Sequence, residues 1–219
     1  MAPASADEVG PTPTEALGAV LAGGRGSRLG GAKATVELAG RPLISYPLAA
    51  LAAAGIEAFV VAKSNADLPD LADAAESDRP GAAERSPPGV RIITEPAEPT
   101  HPLAGIIAAL RHAGRPLVVV GCDFPFPPPG LLRALADAAA PLVVPAPGGA
   151  SQPLMARWSP QLLPQLEDAL DREEPLRRTV TALGPRLLDD TELAPFGDPA
   201  RAFFNINTPA DLGTAEAMA

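Results

Sequence analysis

A glycine-rich, basic stretch at residues 21–34, LAGGRGSRLGGAKA, follows a short apolar run and is the first candidate for chemistry. Glycines let backbone amides approach a ligand closely, and the side chains of Arg28 and Lys33 can neutralise the charge of a triphosphate. The stretch is neither the dinucleotide fingerprint G-x-G-x-x-G nor a P-loop, because Ala34 stands where a P-loop has a hydroxyl. We predict a phosphate site here, with a surface loop of solvated arginines as the alternative.

A second candidate is Asp123, which closes the apolar run PLVVVGCD. A carboxylate at the end of a strand suits Mg²⁺, which takes one or two protein carboxylates together with phosphates and water. Capping of a turn is the competing interpretation. The neighbouring Cys122 is interpreted as a small buried residue and not a nucleophile, because neither His101 nor His112 has a recognisable spacing to it.

Amide and guanidinium side chains supply the remaining candidates. Asn205 and Asn207 lie two residues apart in FFNINTP, so in an extended segment both face the same way and can contact a phosphate or a pterin edge. A turn before the last helix is the competing role for Asn207. Arg177 and Arg178 are candidates for binding a second phosphate, and a solvated helix face is the alternative.

These candidates need elements that bring them together. Strands are predicted at 17–21 and in EAFVVAKS, VRIITE, PLVVVG, PLVVP and FFNIN; helices are predicted before Gly55, from near Pro102, in LLRALADAAA, near 160–171, near 175–184 and after Thr208. Residues 66–89 indicate an irregular connection. Strands that alternate with helices predict an α/β fold with a mainly parallel central sheet and helices on both faces. Ligands of such folds lie beyond the carboxyl ends of the strands, where the glycine-rich stretch, Asp123 and the pair Asn205 and Asn207 fall.

The overall composition limits the classes of function. The chain has 219 residues and a net charge of −9, which argues against a nucleic-acid partner because nucleic-acid binding needs a cationic surface. A single cysteine, no signal-peptide pattern at residues 1–15 and no long apolar run indicate a cytoplasmic protein without a membrane span. We expect a disordered tail at 1–14 and one domain at 15–219.

Four segments together resemble the molybdenum cofactor guanylyltransferase (MobA-type) family of nucleotidyltransferases. They are LAGGRGSRLGGAKA, HPLAGI, CDFPF and FFNINTPADL, and the resemblance covers about residues 17 to 213. It implies a Rossmann-like three-layer nucleotidyltransferase fold, with Mg²⁺ as cofactor. The implied reaction transfers GMP from GTP to the terminal phosphate of molybdenum-bound molybdopterin and releases pyrophosphate. Molybdopterin-synthesis proteins and a molybdoenzyme apoprotein are the implied protein partners.

The resemblance also implies roles for single residues. The nucleotide is contacted by Leu21, Ala22, Gly23, Gly24, Lys33, Glu95 and Asp123, the metal by Asp123, and the pterin side by Asn205 and Asn207. Arg28, Lys33 and Asp123 are the residues to which we assign the catalytic roles.

The chain departs from the family pattern at three places. No acidic residue precedes Lys33, Ala62 stands where an asparagine often meets the nucleotide, and His101 replaces the first glycine of G-P-L-A-G. Three alternative functions stay open. They are a cytidylyltransferase for the same pterin, a nucleotidyltransferase for another small phosphate, and a non-catalytic nucleotide-binding partner of a molybdoenzyme.

Overall fold

The computed structural model describes residues 15–23, 33–63, 66, 68–69 and 90–219. The expected tail at 1–14, residues 24–32 of the glycine-rich stretch and most of the connection at 66–89 lie outside these ranges. The strands and helices are β1 (Leu17–Leu21), β2 (Glu37–Leu38), β3 (Arg41–Pro42), α1 (Ser45–Ala53), β4 (Ala58–Lys63), β5 (Ile92–Glu95), α2 (Pro102–Ala113), β6 (Leu117–Gly121), α3 (Pro129–Asp137), β7 (Leu142–Pro145), β8 (Met155–Trp158), α4 (Leu163–Asp171), α5 (Leu176–Ala182), β9 (Arg186–Leu188), α6 (Asp190–Leu193), α7 (Pro199–Ala202) and α8 (Pro209–Glu216).

A seven-stranded sheet forms the centre of the described structure, in the order β5-β4-β1-β6-β8-β7-β9. β1 pairs in parallel with β4 and β6, and β4 pairs in parallel with β5. β8 is antiparallel to both of its neighbours, while β9 is parallel to β7. The predicted mainly parallel sheet is therefore confirmed, and the carboxyl ends of β5, β4, β1 and β6 meet at one edge.

Alternation along the strands divides the core between the two faces of the sheet. Val20 and Val60 belong to one buried cluster with the apolar side chains of α1 and α3. Ala19 and Val61, their neighbours in sequence, belong to the cluster on the other face with α2, α4 and α5. The result is the three-layer arrangement, in which burial of both faces fixes the register of β1 against β4.

A third, smaller cluster holds the C-terminal segment near the carboxyl edge of the sheet. Leu38 and Leu43, from the β2–β3 hairpin region, are buried together with Ile206 and Ala215. The backbone N–H of Ile206 also donates to the carbonyl of Asp123, at 2.9 Å. The strand predicted in FFNIN is wrong, because this segment follows α7 without joining the sheet. Its Phe204 and Ile206 side chains pack with the hairpin region instead.

Several predicted helix boundaries are confirmed by their caps. α1 ends before Gly55, whose φ of 71° is left-handed. α2 begins at Pro102. Thr208 caps α8 and exchanges side-chain hydrogen bonds with Asp211. Within the described ranges, none of the helices is both long and apolar enough to cross a bilayer.

Candidate active site

A cavity of about 290 Å³ opens at the carboxyl edge of the sheet. Its walls come from the ends of β1, β4, β5 and β6, from the start of α2, and from Leu154 just before β8. Parallel strands create such a crevice because their connections leave the edge in both directions. Two groups of charged side chains lie in this cavity, one near β6 and one near β5.

The group near β6 joins three distant parts of the chain around one ammonium. The Lys33 Nζ donates to Asp123 Oδ2 at 3.0 Å and to the side-chain carbonyl of Asn207. The side chains of Lys33 and Asp123 are only 14% and 16% exposed. This arrangement places a cation, a carboxylate and an amide within one hydrogen-bonded unit, which has the chemistry to hold a phosphate and a metal.

The absence of a side chain at Gly121 leaves room for the Asp123 carboxylate against the end of β6. A Cβ at position 121 would lie 2.5 Å from Asp123 Oδ1, so only glycine leaves room for this orientation. Among the described residues there is no group of three or more His, Cys, Asp or Glu side chains able to hold a metal. Within these residues Asp123 is therefore not part of a multi-ligand centre, and a single carboxylate fits Mg²⁺ when phosphates and water complete the coordination.

The group near β5 is built around a buried carboxylate. The Glu95 side chain is 6% exposed and its Oε1 lies 4.0 Å from the Nζ of Lys63, its register partner on β4. Burial raises the pKa of Glu95, and the charge of Lys63 opposes that rise. Lys63 also donates to the carbonyls of Pro96 and Ala97, at 3.0 and 2.7 Å. Lys63 thus ties the carboxylate to the loop that leads into α2.

Two glycines leave the space that Glu95 occupies. A Cβ at Gly23 would lie 1.9 Å from Glu95 Oε1, and a Cβ at Gly105 would lie 3.0 Å from Oε2. The Glu95 side chain therefore extends from the end of β5 to the end of β1 and passes beside the first turn of α2. From this position the carboxylate can accept hydrogen bonds from a planar ligand lying in the cavity.

Three remaining residues of interest, Cys122, His101 and His112, differ in character. Burial, helped by the nearby Asp123 charge, raises the pKa of Cys122 to about 12, so this thiol is not a nucleophile at neutral pH. His101 lines the cavity and caps α2, because its Nδ1 accepts from the N–H of Leu103 at 3.2 Å. His112 lies in the last turn of α2 and packs edge-on against Phe59, with ring centroids 5.4 Å apart.

Comparison with known proteins identifies the family. The MobA-like NTP transferase domain matches residues 18–187. The chain belongs to this family. It is 33% identical to a molybdenum cofactor guanylyltransferase of Rhodopseudomonas palustris, with 91% of this chain and 90% of that protein covered. It is 34% identical to the protein of that name from Rhizobium johnstonii, with the same coverage. The crystal structure of molybdopterin-guanine dinucleotide biosynthesis protein A from Archaeoglobus fulgidus superposes with a TM-score of 0.72 and 27% identity, covering 92% of this chain and 97% of that one.

The structure gathers most of the residues predicted for nucleotide binding around this cavity. Leu21, Gly23, Lys33, Glu95 and Asp123 all line the cavity. Ala22 is buried directly between Leu21 and Gly23. Gly24 and Arg28 lie outside the described residues.

The residues predicted for the acceptor separate into two places. Asn207 is part of the Lys33 group, and the nearby Asn205 is exposed. Arg177 and Arg178 lie on α5, exposed, and neither lines the cavity. Arg178 pairs instead with Glu174, at 2.9 Å. Both arginines are exposed and lie outside this cavity, and their contact with a second phosphate stays a prediction.

Sequence reasoning missed Lys63 and Gly105. It considered Ala62 in the neighbouring position, but Ala62 is buried in the core beneath the sheet and does not reach the cavity. Lys63, one residue later, has the opposite orientation on β4. Its position at the carboxyl end of a predicted strand was the available signal, since Glu95 and Asp123 follow the same rule.

Proposed function

We propose that this protein transfers GMP from GTP to the terminal phosphate of molybdenum-bound molybdopterin. The observation that carries the proposal is the cavity with two chemically distinct ends, a buried carboxylate at β5 and a lysine–aspartate pair at β6. The strands lie in the order β5-β4-β1-β6, so about 14 Å of sheet separates the two ends. A nucleotide can lie across this edge with its base near Glu95 and its phosphates near Lys33.

The base end favours guanine. Guanine presents its N1–H and its N2 amine as neighbouring donors, and the Glu95 carboxylate can accept both. Cytosine offers a single donor at the matching edge, its N4 amine, and would leave one oxygen of a buried carboxylate unpaired. The names of the related proteins, which are guanylyltransferases, support the same choice of base.

The phosphate end supports in-line transfer. A phosphate oxygen of the pterin attacks the α-phosphorus of GTP, the bond from that phosphorus to the β-phosphate bridging oxygen breaks, and pyrophosphate leaves. Lys33 neutralises charge on the triphosphate and Asp123 is the residue that would hold Mg²⁺. Held there, Mg²⁺ would offset negative charge on the phosphate oxygens. Such a reaction depends on positioning and charge more than on a strong base, which agrees with a site lacking a reactive thiol.

The acceptor belongs on the side of the C-terminal segment. Asn205 is exposed next to the buried Ile206, and Asn207 reaches Lys33, so a pterin phosphate at this segment would lie beside the triphosphate end. We propose that residues 15–219 work as one domain in the cytoplasm. We also propose that molybdopterin-synthesis proteins deliver the pterin, and that a molybdoenzyme apoprotein receives the product.

A single assay tests the proposal. The protein is incubated with Mg²⁺, molybdopterin-loaded acceptor and each nucleoside triphosphate, and the pterin product is identified by mass. We expect the guanine dinucleotide and a matching amount of pyrophosphate, with GTP preferred by about two orders of magnitude over CTP and ATP. Asp123→Ala should abolish both products and keep the fold, while the exposed control Asp168→Ala should behave as wild type. A cytosine dinucleotide, or full activity of Asp123→Ala, would contradict the proposal.

A further inference from the structure

We infer that His101 reads the base of the nucleotide, as a hydrogen-bond donor to the O6 of guanine. This inference rests on the proposed function, because it assumes that a guanine lies against Glu95. It assigns a specificity role to the residue at which this chain replaces the first glycine of the G-P-L-A-G segment.

The hydrogen bond to Leu103 determines which imidazole nitrogen carries the proton. Since the Nδ1 of His101 accepts from a backbone N–H, the neutral ring carries its proton on Nε2. The capping contact therefore orients the ring and leaves Nε2–H as the donor that a ligand can use. A glycine at this position would offer no side-chain donor at all.

The loop that carries His101 is fixed from several directions. Lys63 binds the carbonyls of Pro96 and Ala97, and the Glu98 carboxylate accepts from the backbone N–H of Thr100 at 3.1 Å. The N–H of His101 itself donates to the Pro99 carbonyl at 2.9 Å. A donor held in this way can discriminate between ligands, because it is already placed before the ligand binds.

The position of His101 relative to Glu95 selects the ligand atom. His101 precedes Gly105 by one helical turn, and Gly105 is the residue whose missing side chain makes room for Glu95 Oε2. His101 and Glu95 therefore lie on the same side of the cavity, away from Lys33 and Asp123 near β6. On the guanine edge, the O6 acceptor lies next to the N1–H, from which Glu95 would accept a hydrogen bond. The Nε2–H of His101 and the carboxylate of Glu95 together therefore match this edge. Adenine carries an amine at the same place and would oppose the Nε2–H.

The test compares ligands and variants in one set of binding titrations. GTP, 6-thio-GTP and ATP are titrated with Mg²⁺ into wild type, His101→Ser and His101→Gly. Serine keeps the helix cap and removes the imidazole, whereas glycine removes both. The 6-thio nucleotide keeps N1–H and the N2 amine but exchanges O6 for sulfur, a weaker acceptor. His112→Gln, on the same helix but packed against Phe59, is the matched histidine control.

We expect His101→Ser to weaken GTP binding about tenfold. ATP binding should not weaken, and can tighten, because the substitution removes the donor that opposes the adenine amine. Wild type should bind 6-thio-GTP several-fold more weakly than GTP, and this difference should disappear in His101→Ser. An equal loss for all three nucleotides would place His101 at the phosphates or ribose and overturn the inference, as would unchanged GTP affinity. Equal wild-type affinities for GTP and 6-thio-GTP would overturn it without any variant. A wild-type preference for CTP in the product assay described above, by contrast, would refute the proposed guanylyl function itself.

Discussion

The close approach of Gly23 to Glu95 gives a substitution whose effect can be worked out from distances. An alanine Cβ at position 23 would lie 1.9 Å from Glu95 Oε1, whereas ordinary contact begins at 3.4 Å. The carboxylate would have to retreat by about 1.5 Å to restore van der Waals contact. On its other side stands Gly105, where even a Cβ would be tight at 3.0 Å from Oε2. Glu95 can move, but not without leaving the position from which it would pair with guanine.

We therefore expect Gly23→Ala to damage nucleotide recognition much more than stability. A misplacement of about 1 Å can reduce function about a hundredfold, and loss of one charge-assisted hydrogen bond accounts for about 1.5–3 kcal/mol. GTP affinity should fall ten- to a hundredfold, and the preference over CTP should shrink by a similar factor. Isothermal titration with both nucleotides measures the effect, and urea denaturation monitored by circular dichroism measures stability.

Two further variants separate the possible causes. Gly105→Ala approaches the same carboxylate from α2 and should lower GTP affinity in the same direction. Gly213→Ala, in α8 with no atom near its Cβ, should leave GTP binding unchanged and stabilise the fold by about 0.5–1 kcal/mol. In a Glu95→Ala background, Gly23→Ala should have little additional effect on GTP affinity. The reasoning is refuted if Gly23→Ala retains wild-type affinity and base preference, or if its effect persists undiminished without Glu95.

Five other substitutions test the remaining contacts. Lys33→Ala should weaken GTP binding by about 1.5–3 kcal/mol, and Asn207→Ala by about 1 kcal/mol because Asn207 accepts a hydrogen bond from the Lys33 ammonium. Asn205→Ala should leave GTP affinity unchanged and reduce use of the acceptor. Equal losses of GTP affinity in these three variants would contradict the separation of a nucleotide side from an acceptor side. Glu95→Gln should weaken GTP binding yet raise the free energy of unfolding at neutral pH. Because the pKa of Glu95 is raised in the folded protein, the stability contributed by its protonated form is fully present below the ordinary pKa of 4.5. That contribution is lost as the pH rises through the pKa of the folded state. Denaturation at pH 4 and pH 7 should show the gain growing with pH, and a gain that shrinks with pH would refute it. Arg157→Met should lower the free energy of unfolding, measured by urea denaturation, by about 2–4 kcal/mol. The reason is that the buried guanidinium donates to backbone carbonyls at and after the end of α3. An unchanged urea midpoint would show that these hydrogen bonds contribute nothing to stability.

The sequence was sufficient for the parts of the fold that depend on local pattern. Continuous apolar runs with glycine and proline boundaries identified β1, β4, β5 and β6, and the parallel-sheet rule then placed Asp123 and Glu95 at one edge. β8 was missed because it is short and carries Arg157 at a buried position, so it lacks the apolar run of its neighbours. The guanidinium is satisfied by carbonyls from α3, a partnership that no local pattern reveals.

Contacts that depend on side-chain reach were also beyond the sequence. It separated Lys33 and Asn207 into a nucleotide half and an acceptor half, yet the folded chain joins them by a hydrogen bond across 174 positions. Similarly, nothing in the spacing of Gly23 and Gly105 indicates that both make room for Glu95. Such contacts follow from strand order and from the packing of α2 against the sheet, and both are tertiary properties.

The charges that line the cavity show how its two ends must differ in their response to a ligand. In the described part of the chain, two lysines face two carboxylates there, so this lining carries no net positive charge for a triphosphate. At the proposed base end the pairing would suit the ligand, because Lys63 keeps its backbone partners while Glu95 is left to accept hydrogen bonds from a neutral base. At the proposed phosphate end the pairing would oppose the ligand, since the Lys33 ammonium is engaged by Asp123. Lys33 becomes available to phosphates only when another cation satisfies that carboxylate, so nucleotide and divalent cation should bind there as one unit.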